Sequence, residues 1–104
     1  MPQTDPDNIE TMADLRTAID AVDDRLMALL AERLRLTDLA PTLKQREGIS
    51  AAAPSRVAEV LSRVRGKADE MGFDPGLAEA MWRRMIETVI AREERVMGKK
   101  GQDR

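Results

Sequence analysis

The sequence predicts an all-α fold of three helices, one long and two shorter, that a second copy of the chain completes. Apolar residues recur at spacings of three and four through residues 12–44, which is the period of an amphipathic helix. An unbroken helix of this span is roughly 50 Å long. A compact domain of about a hundred residues has a radius of gyration of only about 13 Å. One chain cannot cover such a helix, so the sequence predicts a homodimer.

The composition excludes several classes of function. The chain has 104 residues, a net charge of −2, 35% charged residues, no Cys and no His. The length indicates one domain, and the near-neutral charge argues against binding to nucleic acid. Without His or Cys, the usual zinc and iron ligand sets and the His- or Cys-based triads are excluded. Asp20, Asp23 and Asp24 are interpreted as surface charge, so we expect no metal and no cofactor.

Residues 1–10 are predicted to be a flexible N-terminus. They are polar, with prolines at positions 2 and 6, and they lack the basic start and apolar run of a signal peptide. The sequence contains no apolar stretch of the length that a membrane span needs. The absence of Cys fits a reducing compartment. We therefore expect a cytoplasmic protein that does not bind membranes.

The long helix is predicted to begin near Thr11 or Asp14, either of which can cap it, and it opens a helical domain over residues 11–98. Pro41 is the discordant residue within it. Proline lacks a backbone donor and clashes with the preceding turn, which predicts a kink near residues 38–40 or an early end of the helix.

Two shorter helices follow a loop over residues 45–53. Pro54 suits the first turn of the second helix, which is predicted over roughly residues 54–70. Asp74 is the predicted N-cap of the third helix, which runs from Pro75 to about Met97. Residues 99–104 are predicted to be a flexible tail.

The cations of the long helix suggest a site shared between subunits. On a continuous helix, Arg33 and Lys44 are eleven positions apart and lie within about 20° of one line, about 16 Å apart. Arg16 precedes Arg33 by seventeen positions and points about 100° away. One helix cannot direct all three cations into one pocket, whereas antiparallel helices from two subunits can. The alternative is that each cation is a solvated surface residue, for example with Arg16 paired to Asp20.

The segment LRTAIDAVDDRLMALLAERLRL, followed by a lysine and by an arginine that opens the second helix, resembles the all-α chorismate mutase family. The similarity covers about residues 15–97. The family pattern has an arginine near the start of the first helix, an arginine after an L-L-A-E type stretch and a lysine eleven residues on. An arginine in the second helix and a Gln or Glu in the third complete it. The matching residues here are Arg16, Arg33, Lys44, Arg56 and Glu93.

The resemblance implies a fold of three helices per subunit, intertwined as a homodimer with two sites. It implies that each site takes Arg16 from the partner subunit and that Lys44 and Glu93 act as the catalytic pair. The substrate would be a small dianion, chorismate or isochorismate, in the metabolism that leads to aromatic amino acids. The remaining implied substrate-binding residues are Arg33, Arg56, Val57, Ile86 and Val89.

The implied reaction explains the residue types. The rearrangement of chorismate to prephenate is a pericyclic step that needs no nucleophile and no metal. Arginine forks can hold the two carboxylates in the folded conformer. By resemblance, Lys44 and Glu93 flank the ether oxygen, where negative charge grows as the C–O bond breaks. Glu93 can donate to that oxygen only when protonated, so we expect activity to fall as pH rises.

One departure leaves alternatives open. Many mutases have a Glu directly after the arginine of the second helix, but here Val57 takes that place. Val57 and the preceding Pro54 resemble the related isochorismate pyruvate lyases, which share the fold. Those enzymes typically have Gln where this chain has Glu93, which favours the mutase. A non-catalytic helical dimerisation module is the third interpretation, and aminodeoxychorismate is a further possible substrate.

Overall fold

A computed structural model describes residues 6–104 of the chain. This part of the chain divides into two compact units, one that ends at Leu36 and one over residues 37–104. Within the described part every regular element is helical, and an isolated bridge between Ile49 and Gln102 is the one β-type pairing. The all-α prediction is confirmed. None of the helices within residues 6–104 is long and apolar enough to cross a membrane.

The first unit consists of a short 3-10 helix, Pro6–Asn8, and helix α1, Met12–Thr37, whose last residue falls just past the boundary. Thr11 caps α1, as predicted. The Thr11 hydroxyl accepts a hydrogen bond from the Asp14 amide at 3.0 Å, and the Asp14 carboxylate accepts one from the Thr11 amide at 3.2 Å. This reciprocal pair satisfies two amides that the first turn leaves unbonded. Of the predicted flexible N-terminus, residues 1–5 lie outside the described part.

Helix α1 presents a row of large apolar side chains to the surface of this chain. Ala18 is its one buried residue. The leucine, isoleucine and valine side chains from Leu15 to Leu30 are between 36% and 61% exposed. Single exposed leucines are ordinary, but a continuous row at helical spacing indicates an interaction surface.

The long helix ends early, at Thr37, which is one of the two outcomes that Pro41 predicted, and it does not continue unbroken to residue 44. Asp38 and Leu39 form a turn, and helix α2, Ala40–Glu47, starts directly after it with Pro41 in its first turn. Proline is tolerated there because the amide it lacks would have no partner within the helix. Residues 6–104 therefore form four α-helices rather than the three that were predicted. The comparison of Arg33 with Lys44 on one continuous helical wheel does not apply.

Helices α3, Pro54–Met71, and α4, Pro75–Met97, pack against each other in the second unit, and α2 packs against α4. Their bounds agree with the sequence prediction. Asp74 caps α4, accepting hydrogen bonds from the Gly76 and Leu77 amides at 2.9 and 3.2 Å. The core of this pair contains Val64, Ala68 and Ala78, with Val60 and Trp82 packed against it.

The predicted flexible tail, residues 99–104, makes defined contacts within the second unit. Gln102, Asp103 and Arg104 hydrogen bond to residues of the segment 47–55. The mobility of the tail stays a prediction.

Candidate active site

A lysine and a glutamate from two packed helices form the centre of the candidate site. Lys44 lies on α2 and Glu93 on α4, and the Lys44 Nζ is 2.7 Å from the Glu93 Oε1. The Glu93 side chain is only 6% exposed and that of Lys44 is 22% exposed. A carboxylate this deeply buried is tolerated because a cation bonds to it directly.

A backbone carbonyl gives Lys44 a second partner. The Lys44 Nζ donates to the Ala51 carbonyl oxygen at 2.8 Å. Two acceptors therefore fix the direction of an ammonium that has three protons to donate. Ala51 is 1% exposed and belongs to the loop between α2 and α3. From the sequence this loop is predicted only as a connection, because a backbone acceptor leaves no signal in side-chain identity.

The Glu93 side of α4 forms one wall of a pocket in the second unit. Ile86, Val89 and Glu93 follow one another at spacings of three and four, which puts them on one side of the helix. Val89 and Glu93 line the pocket together with Pro41 and Thr42 of α2, while Ile86 is buried. The structure thus brings Glu93 and Val89 of the predicted site together at this pocket, with Lys44 bonded to Glu93.

A second ion pair lies beside the first and was missed by the sequence analysis. The Arg92 Nε and Nη2 donate to the two oxygens of Asp38 at 2.8 and 3.0 Å. These hydrogen bonds, supported by the opposite charge, lower the pKa of Asp38 and raise the pKa of Arg92. The pair ties the turn before α2 to α4, and both residues line the pocket. The two residues are 54 positions apart, so no helical spacing could have revealed them.

The loop before α3 holds an unusual backbone conformation. Ala53 is the N-cap residue of α3 with φ +36° and ψ 64°, in the left-handed region that residues other than glycine rarely adopt. It is 3% exposed, and its amide donates to the Ser50 hydroxyl at 3.1 Å. Such strain persists only where surrounding contacts impose it, and it is frequent at binding sites.

The structure does not bring Arg56 and Val57 to the same pocket wall as Glu93. Arg56 is exposed in the first turn of α3, where it pairs with Glu59. Val57 is half-buried and lines a different pocket with Pro54, Leu61 and other residues of the second unit.

Arg16 and Arg33 both lie on α1. Arg16 is exposed and Arg33 is half-buried. Because they are seventeen positions apart on one unbroken helix, they point about 100° apart. Their roles in a shared site stay predictions.

The charged residues of the candidate site can act by stabilising charge on a bound molecule. Among residues 6–104, no group of three or more acidic side chains is arranged to hold a metal ion. The partly buried Lys44 ammonium is bonded to the buried carboxyl group of Glu93, and Glu93 lines the pocket. Such a pair can stabilise an oxygen that gains negative charge.

Comparisons with known proteins give the family. The sequence profile described as chorismate mutase type II matches residues 15–94, more than half of the chain. A T-protein of Enterobacter agglomerans is 39% identical over 72 residues, which is 69% of this chain but only 19% of that protein. The chain thus spans about a fifth of the length of that relative.

Two relatives of similar size have different names. The chorismate mutase of Methanocaldococcus jannaschii is 29% identical over 79 residues, covering 76% of this chain and 80% of the relative. The isochorismate pyruvate lyase of Pseudomonas aeruginosa is 31% identical over 88 residues, covering 85% and 86%. The profile match covers most of the helical part of this chain and shows that the chain belongs to the chorismate mutase type II family.

Proposed function

We propose that this protein is an isomerase that rearranges chorismate to prephenate. The observation that carries the proposal is the ion pair of partly buried Lys44 with buried Glu93, bonded at 2.7 Å in a chain of this family. The reaction needs no covalent intermediate. It needs a positive or donating group at the ether oxygen and cations that hold a dianion folded.

In the proposed mechanism the ammonium of Lys44 donates to the ether oxygen as the C–O bond breaks and the new C–C bond forms. The Ala51 carbonyl and Glu93 hold that ammonium before the substrate arrives, so little reorganisation is needed during the reaction. The carboxyl group of Glu93 is assigned as the second donor, a role that needs a proton on the oxygen that does not bond to Lys44. Val89, beside Glu93 on α4, supplies apolar contact with the substrate, and buried Ile86 supports that wall.

The two substrate carboxylates need cationic partners. We assign this role to Arg33 and Arg56 and to Arg16 of the partner subunit. The guanidinium group suits it because its fork of donors matches a carboxylate. The exposed ion pair of Arg56 with Glu59 is a weak contact that substrate can displace.

A homodimer is part of the proposal. The exposed apolar row of α1 is the surface that a second copy would cover. Covering it removes apolar area from water, which is favourable in proportion to the area.

A mixing experiment tests the shared site. We expect Arg16→Ala and Lys44→Ala homodimers each to be inactive. When the two variants are unfolded and refolded together, half of the dimers would combine them, and each mixed dimer has one complete site. The mixture should recover about a quarter of the wild-type activity. Recovery of none would show that Arg16 does not act across the interface.

A second candidate function is pyruvate elimination from isochorismate. Val57 in place of Glu favours it, as does the 31% identity to the Pseudomonas lyase. Glu93, where that enzyme class typically has Gln, favours the mutase.

A paired assay of the purified protein separates the two reactions. Chorismate loss is followed by ultraviolet absorbance, and pyruvate release from isochorismate by a coupled enzyme. We expect fast chorismate turnover with little pyruvate. Fast pyruvate release would make the protein a lyase. Absence of both activities would leave the dimerisation module as the interpretation of this chain. A mutase result would place the reaction in aromatic amino acid biosynthesis.

A further inference from the structure

The tail of the chain pairs with the loop that precedes α3. The Ser50 amide donates to the Gln102 carbonyl at 2.8 Å, and the Gln102 amide donates to the Gly48 carbonyl at 2.8 Å. These two bonds form the isolated bridge opposite Ile49. Both bonds join backbone atoms, so they fix the path of the loop independently of the side chain of Gln102.

The next two residues hold the ends of the two helices that flank the loop. The Asp103 carboxylate accepts hydrogen bonds from the Ser55 amide at 2.8 Å and from the Ser55 hydroxyl at 2.6 Å. It thereby caps the first turn of α3, where the N-cap residue Ala53 has no side-chain acceptor. Arg104 donates to the Glu47 carbonyl at the end of α2, where a cation is favourable.

The loop held in this way carries the carbonyl that orients Lys44. Ser50, Ala51 and Ala53 are all buried. The Ala51 carbonyl accepts from Lys44, and the Ser50 hydroxyl accepts from the Ala53 amide, so the two buried ends of the loop are bonded to each other. A displacement of Ser50 would move the adjacent Ala51 carbonyl and, with it, the ammonium.

We propose that residues 101–104 are a positioning segment, which holds the 49–53 loop so that the Ala51 carbonyl keeps the Lys44 ammonium in its reactive direction. This inference rests on the proposed function of Lys44. The tail residues act through the loop, so they are positioning residues rather than catalytic ones.

Gly101 offers a specific way to break the pairing. Its φ is +130°, and a Cβ built there would overlap the Ser50 nitrogen and lie 2.5 Å from the Ile49 carbonyl carbon. Those atoms belong to the backbone, so a Gly101→Ala chain cannot keep the contact in place. Gly66→Ala is the matched control, because a Cβ at that helical glycine meets nothing within 4 Å.

The experiment compares both variants with the wild type in three measurements. Hydrogen exchange of the Ser50 amide reports the pairing, and the ¹⁵N NMR signal of the Lys44 ammonium reports its hydrogen bonding. Steady-state kinetics with chorismate report kcat and KM separately. A chain lacking residues 102–104 gives the same comparison if Gly101→Ala fails to fold.

In Gly101→Ala we expect the Ser50 amide to lose its protection from hydrogen exchange. We also expect the ¹⁵N NMR signal of the Lys44 ammonium to shift or broaden. Its kcat/KM should fall between about 10-fold and 100-fold, since small misplacements of a catalytic group have effects of this size. Gly66→Ala should change none of the three. Unchanged Ser50 protection in Gly101→Ala would overturn the proposal, and so would lost protection with an unchanged Lys44 signal or unchanged kcat/KM.

The failure of the proposed function is distinguishable from the failure of this inference. A wild-type protein without activity toward chorismate would refute the proposed function. The Ser50 exchange and the Lys44 signal would still decide whether the tail positions the ammonium.

Discussion

Lys44 and Glu93 are 49 positions apart in sequence, yet the ammonium of one lies 2.7 Å from the carboxylate of the other. The contact joins α2 to α4 at a place where Glu93 is nearly excluded from solvent. An ion pair in such a place gains little net stability, because both charges lose hydration when they are buried. Removal of one partner is costly, since the other charge is left buried without compensation.

The first prediction follows from this asymmetry. Lys44→Met should lower the free energy of unfolding by about 3 kcal/mol, because it leaves the Glu93 carboxylate unpaired. The double variant Lys44→Met with Glu93→Leu should recover most of that loss, since it removes both charges and keeps apolar volume. Urea unfolding of the three proteins measures the difference. A double variant less stable than Lys44→Met would contradict the argument.

The second prediction concerns the group that donates to the ether oxygen of the substrate. In the structure the Glu93 Oε1 accepts a hydrogen bond from Lys44. Donation to the ether oxygen needs a proton on the other terminal atom of this side chain, which the amide of Glu93→Gln always supplies and the side chain of Glu93→Leu cannot supply. Glu93→Gln should therefore keep most of the wild-type kcat, whereas Glu93→Leu should lose about 100-fold or more. Steady-state kinetics measures both variants, and equal kcat values for the two would refute the role of Glu93 as a donor.

The helices were predictable because their signals are local. Apolar spacing marked α1, and the residues Pro54, Asp74 and Pro75 marked the starts of α3 and α4 to within a residue or two. The eight residues of α2 were not separated from α1, because the apolar period continues across the turn at Asp38 and Leu39. Pro41 indicated a kink or an early end of the helix there. The sequence could not show whether Pro41 lies inside one long helix or in the first turn of a second one.

The site was predictable only in part. Lys44 and Glu93 were identified through a family resemblance, and no spacing rule connects positions on two different helices. The Ala51 carbonyl and the backbone of Gln102 left no signal, because backbone atoms are the same at every residue. The pairing of Asp38 with Arg92 could not be predicted, because the sequence contains many charged residues and these two are 54 positions apart.

The third prediction uses Gly66 within α3. Glycine in a helix interior is less favourable than alanine by about 0.8–1.0 kcal/mol, because it loses more backbone freedom on folding. The space around Gly66 is open, so a methyl group is accommodated without a shift. Gly66→Ala should therefore raise the free energy of unfolding by up to about 1 kcal/mol. Denaturant unfolding measures it, and a loss of stability would show that another surface, such as a partner subunit, lies against this side of α3.

The fourth prediction concerns the contact between Asp103 and Ser55. The hydrogen bonds from the Ser55 hydroxyl and amide hold the pKa of Asp103 below its ordinary value of 3.8. Because the pKa is lower in the folded chain, the contribution of this contact to stability is complete above the ordinary value and is lost as pH falls through the lowered one. An NMR titration of the Ser55 amide should therefore show a midpoint below 3.8 and no change near neutral pH.

Two variants separate the sources of that shift. Asp103→Asn should abolish the transition at the Ser55 amide, since the group that titrates is gone. Ser55→Ala removes the hydroxyl donor but keeps the amide, so the midpoint should rise toward the ordinary value without reaching it. A wild-type midpoint at or above 3.8 would mean that the carboxylate is not bonded to Ser55 in solution. The cap on α3 would then be absent, and the tail would be held by its backbone bonds to the loop and by the bond from Arg104 to the Glu47 carbonyl.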